Sequence, residues 1–386
     1  MSAMDISAVR RSFPALESGL ARFDGPGGSL VPSVVIAAVS AAMSAGMCQR
    51  GTVSEPDRLA ESITSGARAD LARLIGADPG GIVFGRSMTA LTFDLARTLA
   101  AGWGPGDEVV VTRLDHDANI RPWVTAAERV GATVRWLGFD PDTAELDDIA
   151  PLLGERTRLV ALTAGSNLFG TRPDVPAVVR AAHEVGALVF VDAVHLVPHA
   201  PVDLGELGAD FLACSTYKFF GPHLGALAAA PALLETLHPD KLLPSTDVVP
   251  ERFELGTLPY ELLAGVSAAV GFVESFPGGA AGIEEHEAAL VTRLLAGLEE
   301  LPAVTVHGRP ARRTPTVLLT VDGVAPADVQ RHLADVGVVV TTGSFYALEA
   351  ARHAGLPSTG GVRVGLSAYT SEDDVDRLLA GLATLA

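Results

Sequence analysis

The stretch from Leu188 to Lys218, LVFVDAVHLVPHAPVDLGELGADFLACSTYK, decides how this chain folds. It holds two short apolar runs, Leu188–Val191 and Phe211–Ser215, joined by a connection punctuated with Pro and Gly. Continuous rather than alternating apolar runs are the mark of strands buried on both faces of a mainly parallel sheet. Each run leads to a reactive side chain. Asp192 closes the first, and Lys218 stands three residues beyond Ser215, 26 residues after Asp192. Open parallel sheets bind ligands at the carboxyl ends of their strands, which is where both side chains would lie.

The same pattern extends outward. Ile82–Phe84, Glu108–Thr112, Thr133–Leu137 and Arg158–Thr163 read as further strands, with helices over Met88–Ala101, Asn119–Val130 and Val175–Val185 between them. Beyond about Glu261 the character changes. Helices over Glu261–Ser275 and about Ile283–Leu298 lead to shorter strands at Val304–Val306, Thr316–Val321, Val338–Thr341 and Val362–Ser367, and Asp373–Ala386 reads as a closing helix. The expectation is an α/β chain with a large domain over 15–262 and a smaller α+β domain over 263–386, on which the segment 1–14 packs.

Composition narrows the function. With 48% apolar and 19% charged residues, the 386-residue chain can bury a large core. Its 28 Lys and Arg against 46 Asp and Glu give a net charge of −18, which argues against nucleic acid or an anionic lipid surface as a partner. No apolar run approaches the ~20 residues of a spanning helix; Leu224–Leu234 is broken by Pro231. Cys48 and Cys214 are too few for a disulfide framework, and no apolar leader opens the sequence, so a cytoplasmic protein is expected.

Taken one at a time, the reactive residues have ordinary readings. Lys218 could be a solvated charge or an imine-forming amine, since a desolvated Lys attacks aldehydes. Asp192 could be a helix cap, or the anion that keeps a pyridine nitrogen protonated. In Phe84-Gly85-Arg86-Ser87-Met88-Thr89 a strand gives way to a helix start, where backbone N–H groups and the Ser87 hydroxyl suit a phosphate, although Ser87 also reads as a plain N-cap. A metal site from His116, His195 and Asp192 is conceivable but lacks a compact ligand motif. Gly25-Pro26-Gly27-Gly28 lacks the spacing of a dinucleotide fingerprint.

Further segments complete the pattern: Phe23-Asp24-Gly25-Pro26-Gly27-Gly28, Leu114-Asp115-His116-Asp117-Ala118-Asn119-Ile120-Arg121-Pro122-Trp123, Ser166-Asn167-Leu168-Phe169-Gly170-Thr171 and Arg252-Phe253-Glu254-Leu255-Gly256-Thr257. Together, in this order, they resemble the class V aminotransferase family of pyridoxal-phosphate enzymes, in its cysteine desulfurase-like and selenocysteine lyase-like branch. The resemblance spans nearly the whole chain. It implies the transferase fold type I with a mostly parallel seven-stranded sheet, pyridoxal 5'-phosphate as cofactor, an L-amino acid as small-molecule substrate and a homodimer.

Residue by residue, the resemblance makes Lys218 the imine-forming amine that also shuttles the substrate α-proton. Asp192 becomes the partner of the pyridine nitrogen, and His116 the imidazole stacked on the ring. It assigns the phosphate to Ser87, the Met88 N–H and Ser215, with Gly256 and Thr257 reaching in from a neighbouring subunit. It gives the substrate carboxylate to Asn167 and Arg363, and places His195 beside the ring hydroxyl where the family often has Gln. Tyr217 replaces the His that often precedes the Lys, and its phenol either donates to the phosphate or packs. The largest departure is in Thr342-Gly343-Ser344-Phe345-Tyr346-Ala347, where Tyr346 stands at the position of the family's persulfide-carrying Cys. Carbon–sulfur cleavage by β-elimination therefore ranks ahead of transamination, and both rank ahead of a persulfide desulfurase. A catalytically idle binding or assembly subunit is the non-enzymatic alternative.

Overall fold

The computed structural model describes residues 4–385, so the ends of the expected N-terminal segment and closing helix, residues 1–3 and 386, lie outside it. In chain order the strands are β1 (Ala21–Arg22), β2 (Ile82–Gly85), β3 (Glu108–Thr112), β4 (Thr133–Leu137), β5 (Thr157–Thr163), β6 (Leu188–Asp192), β7 (Phe211–Ser215), β8 (Gly225–Ala229), β9 (Val304–His307), β10 (Thr316–Val321), β11 (Val338–Val339), β12 (Thr341–Gly343) and β13 (Gly361–Gly365). Seven of them form the main sheet in the order β2-β8-β7-β6-β5-β3-β4. β8 is antiparallel to both neighbours, and the other six run the same way. Their carboxyl ends therefore share one edge.

The sheet is apolar on both faces, as the continuous runs predicted. Val109, Val111, Phe190, Phe211 and Ala213 pack with Leu91, Leu95, Trp123 and Ala127 from the helices Met88–Ala100 and Arg121–Val130. Val110, Val160, Val189, Val191 and Leu212 face Leu71, Val179 and Val266 from helices on the other side. Trp123 is fully buried, with its ring edge-on to Phe190 at 5.0 Å. Truncating it to Ala would cost about 3–5 kcal/mol.

Among the elements that escape the sequence reading, two bear on the packing around the site. β8 is an Ala- and Gly-rich run of little strand propensity, held by its neighbours rather than by its own side chains. A Cβ on Gly225 would fall 2.1 Å from the Met88 nitrogen, so glycine there lets β8 pass against the helix start that faces the site. The helix Glu55–Leu74 opens on a Ser54–Asp57 capping box and buries Ala60, Ala67 and Leu71.

The second sheet, β12-β13-β10-β9, is antiparallel throughout. The expected strand Val338–Thr341 is two strands broken at Val340: β11 pairs with β1, and β12 pairs with β13. The segment just after residue 12 contributes to both cores. Phe13 and Leu16 lie in the core of the large sheet, whereas Ala21 and Phe23 pack with Leu294, Val317 and Val364 of the smaller one. The physical reason is the β1–β11 pairing, which draws this segment across. The helix Ile6–Arg11 is tied to the closing helix Glu372–Ala383 by an Arg10–Asp374 ion pair. A Cβ on Gly365 would fall 2.0 Å from Pro26 Cγ, so glycine on β13 lets the Gly25–Gly27 turn press in. The Pro26 carbonyl then accepts a hydrogen bond from Lys218 Nζ.

Candidate active site

One cavity of about 590 Å³ opens at the shared strand edge. The segment after β2 delivers Ser87 and Met88, and that after β3 delivers His116. The β5 end supplies Asn167, β6 supplies Asp192 and His195, and β7 supplies Ser215, Tyr217 and Lys218. Arg363 reaches in from β13 of the smaller sheet. Two expected positions are not brought there within one chain: Gly256 and Thr257 lie exposed, outside the cavity.

Asp192 ends β6 and is buried, with one carboxylate oxygen accepting the Val194 N–H at 2.9 Å. Burial pushes its pKa up to about 6, opposed by that hydrogen bond and by the charge of Lys218. Lys218 follows β7 in a single 3₁₀ turn, Thr216–Lys218. Burial, then the charge of Arg363, pulls its amine down to about 7, so much of it is neutral near neutral pH. The Tyr217 ring lies 5.1 Å from Lys218 Nζ and stacks on His223 at 4.7 Å.

His116 Nδ1 accepts the Ala118 N–H at 3.0 Å, which leaves the proton of the neutral ring on Nε2. Burial lowers its pKa to about 4, so the ring is neutral through the physiological range. Ser87 caps the helix Met88–Ala100 by accepting the Ala90 N–H, and its hydroxyl hydrogen remains free to donate. The capping and phosphate readings of Ser87 are thus compatible.

Arg363 is buried, with its guanidinium 3.8 Å over the Phe345 ring, and its Nη1 donates to the Asn167 carbonyl at 3.0 Å. Arg363 Nε and Asn167 Oδ1 are buried without a partner among the described residues. Burial works against the charge of Arg363, which is the state of a guanidinium awaiting an anion.

Sequence reasoning missed several contributors. Thr89 and Thr163 line the cavity. Thr163 ends β5, where the strand-end rule could have found it, and Thr89 shares the helix start with Met88. Asp115 lies beneath the floor, fully buried, accepting from Asn119 Nδ2 at 2.7 Å, from the Thr163 N–H at 3.1 Å and from the Thr112 hydroxyl. Burial raises its pKa to about 8. Phe345 and Tyr346 wall the mouth with φ of +54° and +57°, in the left-handed region that side chains avoid. Their carbonyls are captured, Phe345 by Asn167 Nδ2 at 2.9 Å and Tyr346 by the Asp117 N–H at 2.7 Å.

The class V aminotransferase model matches residues 22–378. The chain belongs to that family. It is 34% identical to a probable cysteine desulfurase of Mycobacterium leprae, over 99% of this chain and 97% of that protein. Among solved structures it is similar to the apo cysteine desulfurase of Thermococcus onnurineus, with a TM-score of 0.93 and 28% identity, covering 100% of this chain and 98% of that one. It is also similar to the cysteine desulfurase CsdA of Escherichia coli, with a TM-score of 0.89 and 27% identity, over 99% and 98%. The fold is therefore that of the type I pyridoxal-phosphate enzymes, and the family member is a pyridoxal-phosphate-dependent enzyme. The cavity fits that cofactor: a half-neutral amine, a carboxylate with an oxygen free of protein donors, and a helix start with a free hydroxyl hydrogen meet in one volume. Among the described residues no group of His, Cys, Asp and Glu is arranged to hold a metal ion, and no single helix is long and apolar enough to cross a membrane.

Proposed function

We propose that this protein is a carbon–sulfur lyase that acts on an L-amino acid by β-elimination, with no persulfide on the protein. Bound pyridoxal phosphate supplies an electron sink for charge developing at the substrate Cα. Lys218 would hold the cofactor and would take the proton from the substrate Cα; an amine at about 7 is suited to accepting and returning a proton near neutral pH. Asp192 would hold a proton at the pyridine nitrogen, and His195 would serve the ring hydroxyl. His116 would cover the ring face as a neutral imidazole. Ser87, the Met88 N–H and Ser215 would hold the phosphate, with Tyr217 at its side. Arg363 and Asn167 take the substrate carboxylate, which orients the Cα–H bond. As the proton leaves Cα, its electron pair closes a Cα–Cβ double bond, the sulfur departs with the Cβ–S pair and takes up a proton, and water converts the remaining unsaturated amine to pyruvate and ammonia.

The observation that carries this reading is the loop at Tyr346. A phenol does not take sulfane sulfur as a thiolate does. Within one chain neither cysteine lines the cavity. Cys214 is buried in the core with its thiol pushed up to about 12, and Cys48 is exposed and outside the cavity. Both are free, which suits the cytoplasm.

We also infer a homodimer. Val34, Ile36, Met43 and Val53, with Leu242, Leu243, Val248 and Leu255, are exposed apolar side chains on two stretches that Arg50 ties together through Glu61 and Glu251. Gly256 and Thr257 adjoin that surface. The test of the activity is product analysis with cysteine and cysteine conjugates. Pyruvate, ammonia and a free thiol or sulfide support the lyase. Alanine would indicate a desulfurase, and a keto acid with loss of the aldehyde form of the cofactor would indicate a transaminase.

A further inference from the structure

Behind His195 lies a buried polar cluster that the proposed chemistry does not use. His195 lines the cavity, is 3% exposed, and has one protein partner, its Nε2 3.0 Å from the Thr316 hydroxyl. Its ring meets that of His199 edge to face, with centroids 5.2 Å apart. His199 is buried in turn, with Nδ1 2.9 Å from Glu287 Oε2. Glu287 is 1% exposed, and its other oxygen has no partner among the described residues. The two imidazoles follow β6 in the large domain. Glu287 sits on the helix Gly279–Glu299 and Thr316 on β10, both of the smaller one.

A carboxyl buried on a single imidazole is a costly arrangement, and an apolar pair would pack there at less expense. What the polar pair does is orient. One hydroxyl contact leaves the His195 ring free to pivot, and the edge-to-face contact with His199 removes that freedom only if His199 is itself held, which Glu287 does. We propose that His199 and Glu287 are a positioning pair that fixes His195 against the cofactor ring and couples its orientation to the smaller domain. The coupling has a short route: Thr316 pairs in register with Gly365, two residues from Arg363 on the adjacent strand β13. A carboxylate that draws β13 toward the cavity therefore moves the His195 partner with it.

The charged groups facing this cluster are few. Burial disfavours protonation of His195, as do the His199, Lys218 and Arg363 groups that face it. Glu284, paired with Arg172, stands beside Glu287, whose carboxyl is held above its ordinary range by burial. The proposal rests on His195 lying beside the ring hydroxyl, and the test separates the two ideas. The experiment is a pH titration of the cofactor absorption in substrate-free holoenzyme, for the wild type, His195→Leu, Glu287→Gln and their double variant, with cofactor affinity measured alongside. The expected result is that His195→Leu moves the midpoint, that Glu287→Gln moves it in the same direction by about one pH unit, and that the double variant moves no further than His195→Leu alone. An unmoved midpoint in His195→Leu would overturn the placement of His195 and with it the proposal. A normal His195 effect with no Glu287 effect, or with an equal Glu287 effect when His195 is absent, would overturn the positioning role alone. If Glu287→Gln fails to fold, His199→Gln and Thr316→Val carry the same test with the same outcomes.

Discussion

Asp192 and Lys218 sit at the ends of β6 and β7, strands buried on both faces and paired along their length. Phe345 and Tyr346 sit on a loop of the smaller domain, in left-handed backbone, pinned by two hydrogen bonds to residues that line the cavity. On the proposed reading the floor carries what any Cα chemistry on this cofactor needs, and it is built on regular strands. On the same reading the loop decides the fate of the β-substituent, and it is held by two captured carbonyls at a backbone cost of order 1–3 kcal/mol per left-handed residue. A loop that shuttles sulfur has to travel; this one has both carbonyls hydrogen-bonded to the large domain.

The largest effect that sharpens this contrast comes from the floor. Lys218→Ala should abolish the imine absorption and lower turnover by roughly 10³-fold or more; a borohydride-reducible adduct that persists in the variant would remove Lys218 from its role. In the cofactor-free protein the rate of cofactor loading should rise with pH to a half-maximum near 7, because only the neutral amine attacks the aldehyde. A half-maximum near 10 would show a solvated lysine instead.

Arg363→Lys comes next. A bidentate carboxylate contact becomes a point charge, so KM for the amino acid should rise by about 10- to 100-fold while cofactor affinity stays within a few-fold. Equal loss of both would make Arg363 a structural residue.

The third effect is on stability. Asp115 holds its proton to about pH 8 when folded and releases it near its ordinary value when unfolded, so the folded chain binds the extra proton between those limits. Its contribution is complete below about pH 4 and is lost as pH rises through about 8. Lys218 and His116, with lowered values, act in the opposite sense over about 7–10.5 and 4–6.5. Asp115→Asn should therefore flatten the fall in melting temperature between pH 5 and pH 8, and an unchanged slope would contradict the buried protonated acid.

The sequence made the floor legible because Asp192, Ser215 and Lys218 follow continuous apolar runs, and a strand end is a position that one chain alone can declare. β8 was not legible, since Gly225–Ala229 has no side chains that ask for a strand and is placed by β2 and β7. The crossing of Ala21–Phe23 into the smaller core depends on β11, more than three hundred residues away, which no local pattern reports. The His199–Glu287 pair was hidden for the same reason: its members lie 88 residues apart on different domains. Asp115 was quoted as part of a motif, yet its burial follows from the packing of β3 and β5 around it.

The smallest expected effect belongs to the loop. Tyr346→Cys restores a thiol at the motif position but leaves both backbone ties in place, so it should add little desulfurase activity to the lyase. Substantial alanine formation in that variant would show that the loop travels after all.

Departure of sulfur without passage through the protein is tested most directly by intact-protein mass spectrometry after turnover with cysteine, with Cys48→Ser and Cys214→Ser measured in parallel. The expected result is an unchanged protein mass, pyruvate and sulfide as products, and full activity in both variants. A gain of one sulfur on Cys48, with alanine as product and activity lost in Cys48→Ser, would contradict it.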